Sequence, residues 1–482
     1  MKLNREMYLD KVRACWTGKN IGGTMGAPFE CKTEMQNITG YTTPKGAPLP
    51  NDDLDLQLIW LTAVEDFGIR NTTPNLLGNY WLDYVTGLWN EYGIGISNMK
   101  MGLLPPYSGE YKNDLWKHSN GAWIRTEIWA CLFPGFPELA AQYAYHDACV
   151  DHGMGEGTYA AMFVAALESA AFFEKDIRKL IEVGLSFIPE ECRMAQATKL
   201  VCDMYDRKED WKDTRNALVK LCEDLGWFMA PANVGFVILG LLYGEGDYKK
   251  SMLYAINCGD DTDCTGATIG SVMGIMNGME YVPEDWADYI GDSIVSVAID
   301  HSYLRRCTSV TELTDRIYKQ VPSCLMAYNI YMEYTDGETE REEYKYSPYR
   351  ATLPLPTSGY AVYFPDMVHA RVFAELDKAE LEPGETVNVT FKVQNRRADY
   401  KQMRVRLFLP EGWTADKPEA SVYVQHWTSE QERLGETTIK VTAGELVNAE
   451  NKIYAKVSFT GRPFEAIQPI YVFAKSDCKK FY

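Results

Sequence analysis

The chain has 482 residues and carries 48 basic against 67 acidic side chains, a formal net charge of −19. With 46% apolar and 24% charged residues it has a soluble globular composition, and its length exceeds one ordinary domain. The acidic balance argues against duplex nucleic acid or an anionic membrane as the main partner, since both demand a cationic surface.

The N-terminal stretch MKLNREMYLDKVRACW lacks the apolar core of a signal peptide. No run approaches the ~18 apolar residues of a membrane-spanning helix, so a cytoplasmic protein is expected. Its 12 cysteines contain no CxxC pair, and Cys15, Cys131 and Cys222 sit among apolar residues, which predicts buried, reduced thiols.

Up to about residue 335 the apolar period is helical, as in Thr158–Phe173, Ala232–Tyr243 and Ile290–Ile299. Helix starts are marked by Asp176 and by Pro283-Glu284-Asp285. No strand–helix alternation appears. Residues Thr335–Pro356 are polar and proline-containing, which reads as a linker. Beyond them the period drops to two: Val387, Val389, Phe391 and Val393 face one way, Asn388, Thr390 and Lys392 the other. Met403–Phe408, Thr437–Val441, Ile453–Phe459 and Ile467–Phe473 repeat that pattern between turns. The expected architecture is multidomain, α then β. A large all-α domain over residues 1–335 is followed by a linker over 336–360 and an immunoglobulin-like β-sandwich over 361–482. Trp413 and Trp427 could make a sugar platform there, though core is the ordinary place for such rings.

Two helical stretches carry glycine every fourth residue: Gly18, Gly22 and Gly26, then Gly266, Gly270, Gly274 and Gly278. Glycine costs a helix about 0.8–1.0 kcal/mol against alanine, so its repetition on one face predicts close helix packing. Acidic residues stand at the open ends. Asn51-Asp52-Asp53-Leu54-Asp55 opens one helix, where an N-cap and acidic first turn are ordinary. Asp260-Asp261-Thr262-Asp263-Cys264-Thr265 opens another. Each cluster alone reads as a cap. Together they could form a cage of hard oxygen ligands, which selects Mg²⁺, Mn²⁺ or Ca²⁺ over zinc.

His146 and His152 flank a glycine-rich connector in which Gly153, Gly155 and Gly157 lead into a helix. Its amides could cradle an anion, or it could be a plain connector. The histidine spacing does not suit a zinc pair, and HExxH, GxSxG and the Walker lysine motif are absent from the sequence.

In their order along the chain, these blocks resemble the ADP-ribosylglycohydrolase family of all-α di-metal hydrolases, over the N-terminal two-thirds. Gly18 through Glu30 resembles the family's first helix and active-site glutamate, and Asn51-Asp52-Asp53 its Thr-Asp-Asp metal motif. Ser119 and Asn120-Gly121-Ala122-Trp123-Ile124-Arg125 are similar to its ribose and phosphate loop, and His152–Gly157 to its histidine-containing ligand loop. Asp261-Thr262-Asp263-Cys264 resembles its C-terminal Asp-Thr-Asp-Thr motif.

The resemblance implies catalytic roles for Glu30, Asp52 and Asp261, and metal binding by Asn51, Asp52, Asp53, Asp261, Asp263 and Cys264. It implies substrate contacts from Ser119, Asn120, Gly121, Ala122, His152, Gly153, Gly155 and Gly157. Two Mg²⁺ or Mn²⁺ ions and a small-molecule or ADP-ribosylated protein substrate follow from it. Trp123 and Tyr159 are candidates to stack on adenine. Three departures stand out. Asn51 and Cys264 replace threonines, and Gly102–Gly109 lacks an aspartate that some relatives carry. Hydrolysis of an ADP-ribosyl bond is the leading expectation. A di-metal glycosidase for another furanoside or nucleoside, and a non-catalytic ADP-ribose binder, stand beside it.

Overall fold

A computed structural model describes residues 1–46, 48–302, 304–341, 355–365, 367, 369–397, 399–424 and 434–475. Two compact units emerge from its contacts. The first comprises Met1–Tyr92, Leu115–Ala148 and Gly155–Pro348; the second comprises Gly93–Asp114, Cys149–Met154 and Tyr349–Tyr482.

The first unit is helical, and its centre is the pair Arg5–Gly26 and Thr262–Asn277. The two glycine ladders meet face to face. A Cβ on Gly22 would lie 1.8 Å from the carbonyl oxygen of Gly266, and Gly18 and Gly26 face the carbonyls of Gly270 and Thr262 in the same way. That pairing runs the helices antiparallel with touching backbones, so the C-terminal end of one lies at the N-terminal end of the other. The Thr262 hydroxyl closes the junction by donating to the Gly26 carbonyl at 2.8 Å.

The expected helices over Thr158–Phe173 and Ala232–Tyr243 are found at Glu156–Ala171 and Ala230–Tyr243, and Asp176 caps Ile177–Leu185. Ile290–Ile299 is not a helix. The Glu284–Ile290 helix stops where Gly291 adopts φ +73°, and an irregular segment follows. That segment is tied down from outside: Val297 and Ala298 both donate backbone N–H to the Asp55 carboxylate at 2.7 Å. Apolar content there reflects burial, with hydrogen bonds supplied by a side chain in place of a helix ladder. Glu333–Thr335 pairs in parallel with Lys2–Asn4, so the expected linker begins on a strand. Much of the rest of it, residues 342–354, lies outside the described residues.

In the second unit, Ala361–Tyr363, Ala370–Leu376, Thr386–Asn395, Leu434–Thr442 and Thr414–Ala415 form one five-stranded sheet in that spatial order. Glu380–Leu381, Glu465–Ala474, Glu450–Phe459, Lys401–Phe408 and Glu419–Val424 form the other. Val389, Phe391 and Ile439 from the first sheet share one core with Val405, Ile453 and Ile470 from the second, which makes a sandwich. Trp413 is buried in that core, with its indole N–H donated to the Leu446 carbonyl, and Trp427 lies outside the described residues.

Residues 102–111 belong to this unit. Leu103, Tyr107 and Tyr111 pack with Tyr471 and Phe473, and the Tyr111 and Phe473 rings stack at 4.2 Å. This loop therefore carries aromatic packing against the sheet.

Among the described residues no helix is long and apolar enough to cross a membrane. The 11 described cysteines are all free thiols; most are buried, as expected, but Cys31 is exposed.

Candidate active site

Three helix ends converge in the first unit. The Arg5–Gly26 helix passes through the short turn Ala27–Phe29 to Glu30; Asn51 starts Asp52–Phe67; Asp261 starts Thr262–Asn277. The oxygens of Glu30, Asp261 and Asp263 lie within 4.8 Å of one another, and so do ligand atoms of Asp53, Asp263 and Cys264. Asp263 belongs to both groups. The two acidic clusters, some 200 residues apart in the chain, thus meet through it.

Not every acidic residue of the clusters faces this centre. Asp260, held at φ +70°, accepts the Phe228 N–H and the Asn233 amide. Asp55 accepts Val297 and Ala298, as described. Both are structural carboxylates. Asn51 uses its side-chain oxygen to accept the Asp53 N–H at 2.9 Å, while its amide nitrogen packs beside Gly23. In this conformation it is a cap.

The remaining carboxylates repel one another. Although the Glu30 residue is exposed, loss of solvent around its carboxyl in the cavity, then Asp263 and Asp52, raises it to about 7. Burial, then Asp263 and Asp55, raises Asp52 to about 7. Asp261 and Asp53 are also raised by burial, with Asp263 adding to each. Buried oxygens of Asp53, Asp261 and Asp263 receive no hydrogen bond among the described residues. Polar atoms left this way inside a protein cost about 1–3 kcal/mol each, more when charged. A hard divalent cation would satisfy them, so the donor set fits Mg²⁺ or Mn²⁺. Cys264 fits less well. Burial holds its thiol well above the usual range, with Asp261 and Asp53 adding to the shift, and it donates to Asp53 at 3.4 Å.

A second layer balances Asp53. The Lys19 ammonium, fully buried, donates to Glu127 at 2.7 Å and to the Ile124 carbonyl, and stands 4.0 Å from Asp53. Burial opposes its charge, but Glu127 and Asp53 prevail and raise its pKa. Gln57 links the Asp53 carbonyl to the other Glu127 oxygen. Lys19→Met should therefore destabilise the protein by about 3–5 kcal/mol, because Glu127 would be left buried without its cation. Thermal melts of the two proteins check this.

The carboxylates open into a cavity of about 310 Å³ lined by Glu30, Cys31, Asp52, Asp261, Asp263, Cys264, Asn120, Gly121 and Ile124. Trp89, Asn90, Glu91, Tyr92, Trp227 and Phe228 complete the described wall. Asn120 is placed by two bonds, donating to Asp261 at 2.6 Å and accepting the Trp123 indole at 3.0 Å. Trp123 is thus core, away from the wall. Gly121 offers its carbonyl to Arg125, which also pairs with Asp147 at 3.0 Å.

Ser119 and Ala122 are fully buried behind this loop. Among the described wall residues none comes from 152–157, nor is Tyr159 there. His152 is buried beside Asp151 in the second unit, and Gly155 admits a close approach by the Lys117 carbonyl. Trp89, Glu91, Tyr92, Trp227 and Phe228 carried no sequence signal, because they sit in or beside loops without periodicity.

A family model described as ADP-ribosylglycohydrolase matches residues 4–323, which is two-thirds of the chain. The chain belongs to the ADP-ribosylglycohydrolase family. Membership supports a glycohydrolase-type, hydrolytic function, in a family that is generally metal-dependent. Among solved structures, an ADP-ribosylglycohydrolase-related protein complex is 18% identical with a TM-score of 0.44, covering 66% of this chain and 99% of that one. A FixG-related protein from Vibrio parahaemolyticus is 13% identical with a TM-score of 0.19, covering 23% of this chain and 100% of its own. The yeast GGA1 GAE domain is 15% identical with a TM-score of 0.18, covering 24% and 99%. No curated protein matches the chain.

Proposed function

We propose that this ADP-ribosylglycohydrolase-family chain is a divalent-metal-dependent hydrolase of a ribosyl bond, N- or O-glycosidic. The observation that carries the reading is the convergence of Glu30, Asp53, Asp261 and Asp263, the three aspartates each with a buried carboxylate oxygen that receives no hydrogen bond among the described residues. Asp53, Asp261, Asp263 and Glu30 would hold Mg²⁺ or Mn²⁺. When bound, the ions supply electrostatic stabilisation for the ribose hydroxyls and an oriented water.

Glu30 stands exposed on the cavity wall, where a substrate can reach it. Its carboxyl gives a proton to the leaving atom as the C1′ bond breaks and the bonding pair stays with the leaving group. The water oxygen bonds to C1′ and returns a proton to the Glu30 carboxylate. Asp52 and Asp261 flank the same space and orient the ribose and the water. Asn120 fixes Asp261 through its amide.

Family chemistry makes an ADP-ribosylated protein or related conjugate the first substrate to test. A smaller furanoside or nucleoside is favoured by a specific observation, the carboxylate-rich wall of a small cavity. The protein would work in the cytoplasm, where its free thiols persist, and without nucleic acid or membrane as partner, given its charge of −19. The test is release of ribose or ADP-ribose with Mg²⁺ or Mn²⁺ against chelator. Glu30→Gln should lower kcat by about 10²–10⁴ while the fold, read by melting, survives. Metal-independent turnover, or full activity of Glu30→Gln, contradicts the reading. Tight ADP-ribose binding by calorimetry with no turnover would favour a non-catalytic binder in its place.

A further inference from the structure

The two groups of ligand atoms differ in kind. Glu30, Asp261 and Asp263 offer oxygen alone, whereas Asp53, Asp263 and Cys264 bring two carboxylates and a sulfur within 4.8 Å of one another. The second group is built into the core, with Asp53, Asp263 and Cys264 only 0%, 8% and 5% exposed. One carboxylate oxygen of Asp53 and one of Asp263 receive no hydrogen bond among the described residues. The other Asp53 oxygen, Oδ1, faces the Cys264 S–H at 3.4 Å.

A buried cysteine is ordinarily a small apolar side chain. Here the sulfur stands against carboxylates on a cavity wall. The neighbouring hydroxyls do not take its place. Thr262 donates to the Gly26 carbonyl at 2.8 Å and Thr265 to the Thr262 carbonyl at 3.2 Å. Neither is among the described wall residues, whereas Cys264 is. Asn51 is engaged as a cap through the Asp53 N–H. The third donor of this group is therefore sulfur. Carboxylate oxygens suit Mg²⁺ and Mn²⁺, but a thiolate selects softer ions of the zinc class.

We propose that the centre holds two unlike cations: Mg²⁺ or Mn²⁺ among Glu30, Asp261 and Asp263, and a thiophilic ion of the zinc class among Asp53, Asp263 and Cys264. This rests on the metal-dependent reading and names the class of ion at one of its positions. As that ion binds, the Cys264 S–H bond breaks and its electron pair forms the sulfur–metal bond. The proton leaves to solvent. Asp263 belongs to both groups and is the residue through which the two ions meet.

The full-length protein is stripped with chelator, dialysed, and titrated with Co²⁺ or Zn²⁺ in an excess of Mg²⁺. Bound Co²⁺ should give a thiolate-to-cobalt charge-transfer band in the near ultraviolet. Cys264→Ser and Cys264→Thr should each lose that band. Both should weaken Co²⁺ and Zn²⁺ binding by at least the ~10–100-fold that loss of a mere supporting residue costs, with Mg²⁺ binding nearly unchanged. Cys31→Ser should keep the band, although Cys31 also lines the wall. Co²⁺ bound by the parent without the band, or a band kept in both Cys264 variants, overturns the thiolate assignment and leaves metal-dependent hydrolysis standing. Displacement of Co²⁺ by Mg²⁺ at equal concentration does the same. A folded protein, judged by its melt, that binds none of Mg²⁺, Mn²⁺, Co²⁺ and Zn²⁺ overturns both.

Discussion

A single methyl group at Gly22 should lower the melting temperature of the helical unit by several degrees, whereas Gly40→Ala should leave it unchanged. An alanine Cβ at position 22 would lie 1.8 Å from the Gly266 oxygen and 2.0 Å from its carbonyl carbon, with no flexible side chain between to yield. Position 40 has nothing within 4 Å. Helix propensity acts in the opposite direction, since alanine is better than glycine by about 0.8–1.0 kcal/mol, so the sign of the result tests the packing itself. Overpacking costs about 1–3 kcal/mol when side chains can shift, and more where two backbones touch. A net loss of about 3 kcal/mol, near 6–10 °C for a unit of this size, is the expected outcome. Because the ladder also brings Glu30 to Asp261 and Asp263, the variant should lose its response to Mg²⁺ as well. A Gly22→Ala protein that melts at or above the parent temperature would show that the helices are free to separate.

The ladders and the clusters were legible because each rests on a local rule. Glycine at every fourth position has a cost that only close approach explains, and an oxygen-rich helix start is visible in four residues. What the sequence cannot show is which carboxylates are already satisfied. Asp55 and Asp263 both lie in the first turn of a helix, yet Asp55 meets two amides from a distant segment while a buried oxygen of Asp263 receives no hydrogen bond among the described residues. The difference lies in tertiary donors, and so does the cap role of Asn51.

The strand period of two was legible for the same local reason. The aromatic packing of residues 102–111 against Tyr471 and Phe473 was not, because it joins segments more than 350 residues apart. Trp89 and Trp227 escaped notice for a third reason. An exposed indole in a loop has no pattern, and only the shape of the cavity distinguishes it from a core ring.

Asp263→Asn should stabilise the metal-free protein and at the same time abolish its response to metal. Asp263 is a repelling neighbour of Glu30, Asp52, Asp53 and Asp261 alike. Neutralising it relieves all four pairs, and one of its oxygens has no hydrogen bond to lose among the described residues. In chelator the variant should therefore melt higher, by a gain of about 1–3 kcal/mol, the scale of one unsatisfied buried polar group. In Mg²⁺ or Mn²⁺ the parent should overtake it, since a ligand at 100 times its Kd adds about 2.7 kcal/mol to the protein that binds it. Turnover of any riboside should fall by about 10³, because the variant loses the carboxylate shared by both ligand groups. A merely structural aspartate would behave the other way, with the variant weaker in chelator and metal shifting both proteins equally. The crossing of the two stability orders on adding metal is a signature that a cap or an internal ion pair does not produce.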